Sequence, residues 1–147
     1  MSSGTAEQWS EEAEQKLRDA GWFPGRRVST DHWEETLREH GGFVMHETAR
    51  EFLAEFGGLE VDQRGPGQNM AKMPFKLDPV AAEYDDEIFD VLSEEAGVDL
   101  YPIGEVDRRN NYLGIAPDGS VYIGMDTVAL FADNAHMALE NLIKGRQ

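Results

Sequence analysis

Between Phe43 and Val61 the chain reads FVMHETAREFLAEFGGLEV, and this stretch limits what it can fold into more than any other. Met45, Ala49, Phe52, Leu53 and Phe56 fall at i, i+4, i+7, i+8 and i+11, one face of an α-helix. Glu47, Arg50, Glu51 and Glu55 fall elsewhere on the wheel and can stay in water. Gly57-Gly58 then stops the helix, because glycine takes the left-handed backbone of a helix C-terminus without a Cβ penalty. Leu59 and Val61 leave with period two, as a strand. Each large apolar side chain buried on this helix contributes roughly 1.5–3 kcal/mol, so the segment is expected to anchor the core.

The flanking chain divides into helical and extended halves. Ala6, Trp9, Ala13, Leu17 and Ala20 form a helical stripe closed by Gly21, and Trp22-Phe23 lead into a turn at Pro24-Gly25. Arg26-Arg27 reads as a surface basic pair. Asp31-His32-Trp33-Glu34 has the form of a capping box opening a short helix that buries Trp33 and Leu37 and ends at Gly41-Gly42. Beyond the anchor helix, Gly65-Pro66-Gly67 is a sharp turn, and Met73, Phe75 and Leu77 alternate as a second strand. Asp78-Pro79 predicts a helix start, with Val80, Tyr84, Ile88, Val91 and Leu92 on its apolar face and Gly97 at its end.

The last third switches to period two at Tyr101 and Ile103, Leu113 and Ile115, and Val121 and Ile123. Asn110-Asn111 and Pro117-Asp118-Gly119-Ser120 serve as the turns between them. Asp133 is the expected cap of a final helix carrying Ala135, Ala138, Leu139 and Leu142. Helices, then an antiparallel meander, then a closing helix define an α+β fold: a single domain over residues 7–145, with N-terminal helices and a C-terminal helix around an antiparallel sheet.

At 147 residues this domain can bury a core without covalent staples. The chain contains no cysteine, which excludes disulfides, thiolate nucleophiles and cysteine-bearing metal sites. Its first residues, Met1 to Glu7, have neither the basic nor the apolar region of a signal peptide, and no apolar run approaches membrane-spanning length. A soluble cytoplasmic protein is expected. Thirteen Lys and Arg against 29 Asp and Glu leave a net charge of −16. Such a field repels nucleic acid and anionic membranes and attracts basic proteins; it also keeps a protein soluble.

No catalytic or metal-binding pattern stands out. His32, His40, His46 and His136 form neither an i, i+4 pair nor a His-Glu-x-x-His signature, and His46 near the anchor helix start reads as a packed or hydrogen-bonded histidine. No serine lies in a Gly-x-Ser-x-Gly elbow. Gly65-Pro66-Gly67 lacks the Gly-Lys-Ser/Thr ending of a phosphate loop, and no calcium-loop spacing occurs. Suitably spaced carboxylate pairs are inevitable among 29 acids and identify nothing. The reading is of a protein that is not an enzyme and needs no cofactor or metal.

One charge pattern rises above this background. No Lys or Arg occurs between Lys76 and Arg108, while eleven acids do, among them Glu83, Asp86, Glu87, Asp90 and Glu94. Glu83, Glu87, Asp90 and Glu94 fall at i, i+4, i+7 and i+11, a stripe beside the apolar face of the helix predicted to follow Asp78. Like charges at i, i+4 cost a helix roughly 0.2–0.5 kcal/mol per pair, so the stripe is mildly unfavourable in isolation. It is either a solvated helix face or a docking surface for a basic partner. On the second reading, Glu83, Asp86, Glu87, Asp90 and Glu94 are the partner-binding residues.

Several motifs recur together in a recognisable order. They include Ala20-Gly21-Trp22-Phe23-Pro24-Gly25-Arg26, Trp33 with Leu37, and His46 with Phe52-Leu53-Ala54-Glu55-Phe56-Gly57-Gly58-Leu59. Gly65-Pro66-Gly67, Phe75-Lys76-Leu77-Asp78-Pro79 and Tyr101-Pro102-Ile103-Gly104-Glu105-Val106-Asp107 follow. The series closes with Leu113-Gly114-Ile115, Gly119-Ser120-Val121-Tyr122 and Ala138-Leu139-Glu140-Asn141-Leu142. In this order, from Trp9 to Gly145, the chain resembles the SUKH superfamily of bacterial immunity proteins, specifically its third subfamily.

The resemblance implies a compact α+β fold and a role in neutralising a cognate polymorphic toxin, typically encoded nearby and often a nuclease. It carries over no catalytic residue; Trp22, Pro24, Gly57, Gly58 and Gly104 read as packing and turn positions. The implied partner is a basic toxin domain, with no direct nucleic-acid or membrane contact. A nuclease needs a basic cleft for phosphate, and a small acidic protein can fill one. The alternative is a non-enzymatic interaction or scaffold module of the same fold, in regulation or defence.

Overall fold

A computed structural model describes residues 9–147. Ala6 of the N-terminal stripe, Ser2 and Ser3, and the expected domain start at residue 7 lie outside the described residues. Five α-helices and a six-stranded antiparallel sheet account for the described architecture, as the α+β reading expects. The helices are α1 (Glu11–Ala20), α2 (Asp31–Gly41), α3 (Glu47–Phe56), α4 (Asp86–Ala96) and α5 (Ala135–Lys144). The strands are β1 (Glu60–Val61), β2 (Phe75–Lys76), β3 (Tyr101–Val106), β4 (Asn111–Ile115), β5 (Val121–Gly124) and β6 (Val128–Ala132). They lie in sequence order, each paired with the next.

The anchor helix forms as its periodicity predicts. Ala49, Phe52, Leu53 and Phe56 of α3 are buried in a core shared with Leu17, Leu37, Ile103, Leu113, Ile115 and Leu139. His46 is the residue before the helix: its Nδ1 accepts from the Ala49 N–H (3.1 Å) and its Nε2 lies 3.1 Å from the Ile115 carbonyl. One ring nitrogen thus caps a helix and the other ties it to β4. At the far end Gly57 is extended and Gly58 takes the positive φ, +88°.

The positions shared with the family motif act as packing and turn elements. A Cβ on Gly57 would sit 2.5 Å from the Trp33 ring, and one on Gly104 would sit 2.3 Å from the Lys76 carbonyl oxygen. Trp22 is buried and donates from its indole nitrogen to Glu55 (3.1 Å), while Pro24-Gly25 form a turn closed by Arg26 N–H on the Phe23 carbonyl. Arg26 itself is structural. Its guanidinium donates to the carbonyls of Glu55 (2.6 Å) and Gly57 (2.9 Å), satisfying the open end of α3.

Three expectations about element ends need correction. The capping box at Asp31 does not form: α2 follows Thr30 without a side-chain cap, and Glu34 turns instead to Arg50 at 3.0 Å. The cap of α5 is Asn134, not Asp133; its Oδ1 accepts the Met137 N–H at 2.8 Å. The β3–β4 turn is residues 107–110, and Asn111 already belongs to β4.

The strand β6 carries no alternating pattern and goes undetected in the sequence. A bulge opposite Val121 and Tyr122 breaks its period, so Val128-Ala129-Leu130-Phe131-Ala132 reads only as an uncharged run between Asp126 and Asp133. As the outer strand it is closed off at both ends: Glu95 accepts from the Val128 N–H (3.2 Å), and Asn141 donates to the Phe131 carbonyl (3.4 Å).

The sheet is covered on both faces. α3 and α5 pack on the side of Ile103, Leu113 and Val121, whereas α4 packs on the side of Tyr112, Gly114 and Gly124. The two glycines clear the ground for α4. A Cβ on Gly114 would meet Phe89 at 3.2 Å, and one on Gly124 would meet Leu92 at 3.0 Å. That second face leads to the acidic surface.

Candidate functional site

The helix predicted to run on from Asp78 is two elements. Asp78 accepts the Val80 N–H (3.0 Å) and starts a short 3-10 helix, Pro79–Ala82; the chain then turns through Glu83-Tyr84-Asp85 before α4 begins at Asp86. Tertiary hydrogen bonds compensate for the interruption. The Tyr112 hydroxyl donates to the Asp85 carboxylate and lies 3.2 Å from the Ala81 carbonyl, which also accepts from Arg109 at 2.9 Å. Burial, followed by the Asp85 hydrogen bond, pushes the Tyr112 phenol up to about 12.

This break rearranges the predicted stripe. Glu83 lies outside α4, and its carboxylate meets His40 Nδ1 at 2.7 Å. Tyr84, expected on the apolar face, is instead 73% exposed and stacks on the His40 ring. Asp86 is half-buried against the Gly41-Gly42-Phe43 bend, where it lines a cavity of about 160 Å³ together with Asp90 and Asp99. Glu87, Asp90 and Glu94 remain together at i, i+3 and i+7 of one exposed helix face. Of the five sequence-derived candidates, three therefore share a continuous surface, Asp86 borders it, and Glu83 occupies the adjoining turn.

A residue that the helical period assigned to the apolar face turns outward instead. Val91 is 48% exposed, because Phe89 and Leu92 take the buried positions of α4. Its neighbours at i−4, i+3 and i+4 are Glu87, Glu94 and Glu95. Val91 thus places one apolar side chain among the carboxylates of the outer face of α4. Phe89, which periodicity from Asp78 left off the apolar face, could have been found by restarting the helical period at Asp86.

Elsewhere the polar clusters explain packing. Arg50 is held by Glu34 (3.0 Å) and Glu47 (2.7 Å), and Trp9 stacks on His136 at 4.0 Å. Glu140, only 5% exposed, accepts from the Ser10 N–H (2.7 Å) and hydroxyl (2.8 Å), docking the start of α1 on α5. Among the described residues no three His, Asp or Glu side chains converge as a metal ion would require. No helix among them is long and apolar enough to cross a membrane.

Residues 9–145 match the family model described as SUKH-3 immunity protein. The chain belongs to the SUKH-3 immunity protein family. No match was found to a curated protein or to a solved structure. Membership covers α1 to the end of α5, so the whole described fold, including the α4 surface, lies within the SUKH-3 region. It places the chain among immunity proteins, which act in toxin immunity.

Proposed function

We propose that this SUKH-3 protein is a cytoplasmic, non-enzymatic antidote. It binds one cognate polymorphic-toxin domain stoichiometrically through the acidic outer face of α4, with residues 7–145 acting as a single immunity domain. The family match over residues 9–145 carries the reading. Its mode of action is supported by the net charge of −16 and by Val91 set among Glu87, Asp90, Glu94 and Glu95. The toxin that best complements this surface is a nuclease, whose phosphate-binding cleft is basic. Carboxylates facing that cleft speed capture by long-range attraction and block the nucleic acid.

Asp86 and Glu83 extend the contact toward the His40–Tyr84 corner. The direct test is co-expression with toxin domains encoded beside the gene, followed by pull-down and a viability assay. Binding without rescue would favour a scaffold role, and absence of any neighbouring toxin partner would end the immunity reading.

Reversal of the three exposed carboxylates provides the surface test. Glu87→Lys, Asp90→Lys and Glu94→Lys together should weaken toxin binding by on the order of a hundredfold at low salt, with a smaller deficit at high salt. Thermal stability should change little, because these side chains are exposed and lie outside the core. Unaltered affinity would move the contact off α4.

A further inference from the structure

In the β3–β4 turn two arginines occupy the left-handed backbone conformation that ordinarily falls to glycine or asparagine. β3 and β4 are joined by Asp107-Arg108-Arg109-Asn110, and the first three of these have φ of 56°, 55° and 71°. They are the non-glycine residues of positive φ among the described residues. A Cβ is strained in this conformation, which is why such turns favour glycine and asparagine.

The turn is braced from outside. Asp107 N–H donates to the Pro74 carbonyl (2.8 Å), and the Asn110 side-chain amide donates to the Asp107 carboxylate (2.9 Å). Arg109 donates to the Ala81 carbonyl (2.9 Å) and lies 3.4 Å from Glu105, a carboxylate that is otherwise buried.

Arg108 has no such role. It is exposed, makes no hydrogen bond or ion pair with the described residues, and lines a cavity of about 400 Å³ with Lys76 and Arg109. Lys76 and Arg108 bracket the long segment devoid of basic residues, and folding brings them together in one corner of a strongly acidic molecule. Arg109 also lines a second cavity with Glu83, Tyr84 and Asp85, so this basic corner abuts the acidic surface that leads into α4.

We propose that Arg108 is a specificity-determining contact that receives a carboxylate of the protein partner and so fixes the partner's orientation on the acidic face. The inference rests on the immunity reading and names a second contact for it. A guanidinium pairs bidentately with a carboxylate. Glu60, Asp62 and Glu105 on the walls of the same cavity oppose the many phosphates of a nucleic-acid backbone more than they oppose a single carboxylate held at Arg108. An acidic face alone attracts any basic domain. A partner without an acid opposite Arg108 would bury that guanidinium unpaired, and so be rejected. The strained backbone is retained for the side chain it carries, since glycine at 108 would relieve it.

The test compares wild type, Arg108→Gly, Arg108→Lys and Arg108→Glu. Each is titrated calorimetrically with the catalytically inactivated toxin domain encoded beside the gene, and with lysozyme as a basic decoy. Arg108→Gly should raise Tm by about 2–4 °C while weakening cognate binding by on the order of tenfold. Its affinity for lysozyme should be unchanged. Arg108→Lys should lose less affinity than Arg108→Glu. Wild-type affinity in Arg108→Gly overturns the proposal, as does a Tm that stays level or falls. Wild-type protein that ignores the toxin domain refutes the immunity reading as well, whereas a loss-free Arg108 series with a binding wild type refutes only this contact.

Discussion

Gly104 stands where β3 runs closest to the end of β2, and the Lys76 carbonyl oxygen occupies the space of its missing side chain. Because the obstacle is backbone rather than the tip of a flexible side chain, Gly104→Ala should destabilise the fold by about 3 kcal/mol. Urea unfolding should show this as a lower midpoint with an unchanged m-value. The same residue was legible in the sequence as a packing position only through the family motif; nothing in its local pattern reveals the neighbour. Arg26 shows the converse. Adjacent to Arg27 it reads as half of a surface pair, yet its partners are carbonyls of Glu55 and Gly57, some thirty residues away. Arg27 does behave as a surface residue, with an exposed ion pair to Glu51 at 3.3 Å. A guanidinium that caps a distant helix end leaves no trace in its own neighbourhood.

At the scale of elements, the decisive feature is the interruption between the 3-10 helix and α4, held by Tyr112, Asp85 and Arg109. It decides which carboxylates form a surface and which lie in a turn. The bond has a pH signature. Burial raises the phenols of Tyr101 and Tyr112 above their ordinary value of 10.0, the latter to about 12 with help from Asp85. A phenol with a raised folded-state pKa binds its proton more tightly when folded. Its contribution to stability is therefore present below pH 10 and is lost as pH rises from about 10 toward 12. Phenolate absorbance should show Tyr101 and Tyr112 ionising late in the native protein and joining the ordinary range when it is unfolded in urea. Tyr112→Phe should remove one late group and loosen the start of α4. Sequence reasoning placed a helix here and its end at Gly97, but joined it to Asp78 and so misassigned Tyr84, Val91 and Phe89, because the bonds that interrupt it come from β4 and its preceding turn.

For the whole molecule, the charge of −16 predicts how a partner is found. Association with a basic toxin domain should slow by on the order of tenfold or more between about 0.01 M and 0.5 M salt, in stopped-flow mixing, while dissociation changes far less. The charge balance, the absence of cysteine, the anchor helix with its glycine stop and the α+β class were all determined by the sequence alone. Each depends on composition or on neighbours within a turn or two of chain, where periodicity and side-chain chemistry act directly. The tertiary structure decided the rest: the outward turn of Val91, the pairing of Glu83 with His40, the strand β6 behind its bulge, and the meeting of Lys76, Arg108 and Arg109. These depend on which distant groups compete for a hydrogen bond or a place against the sheet, a competition that exists only once the chain has closed on itself.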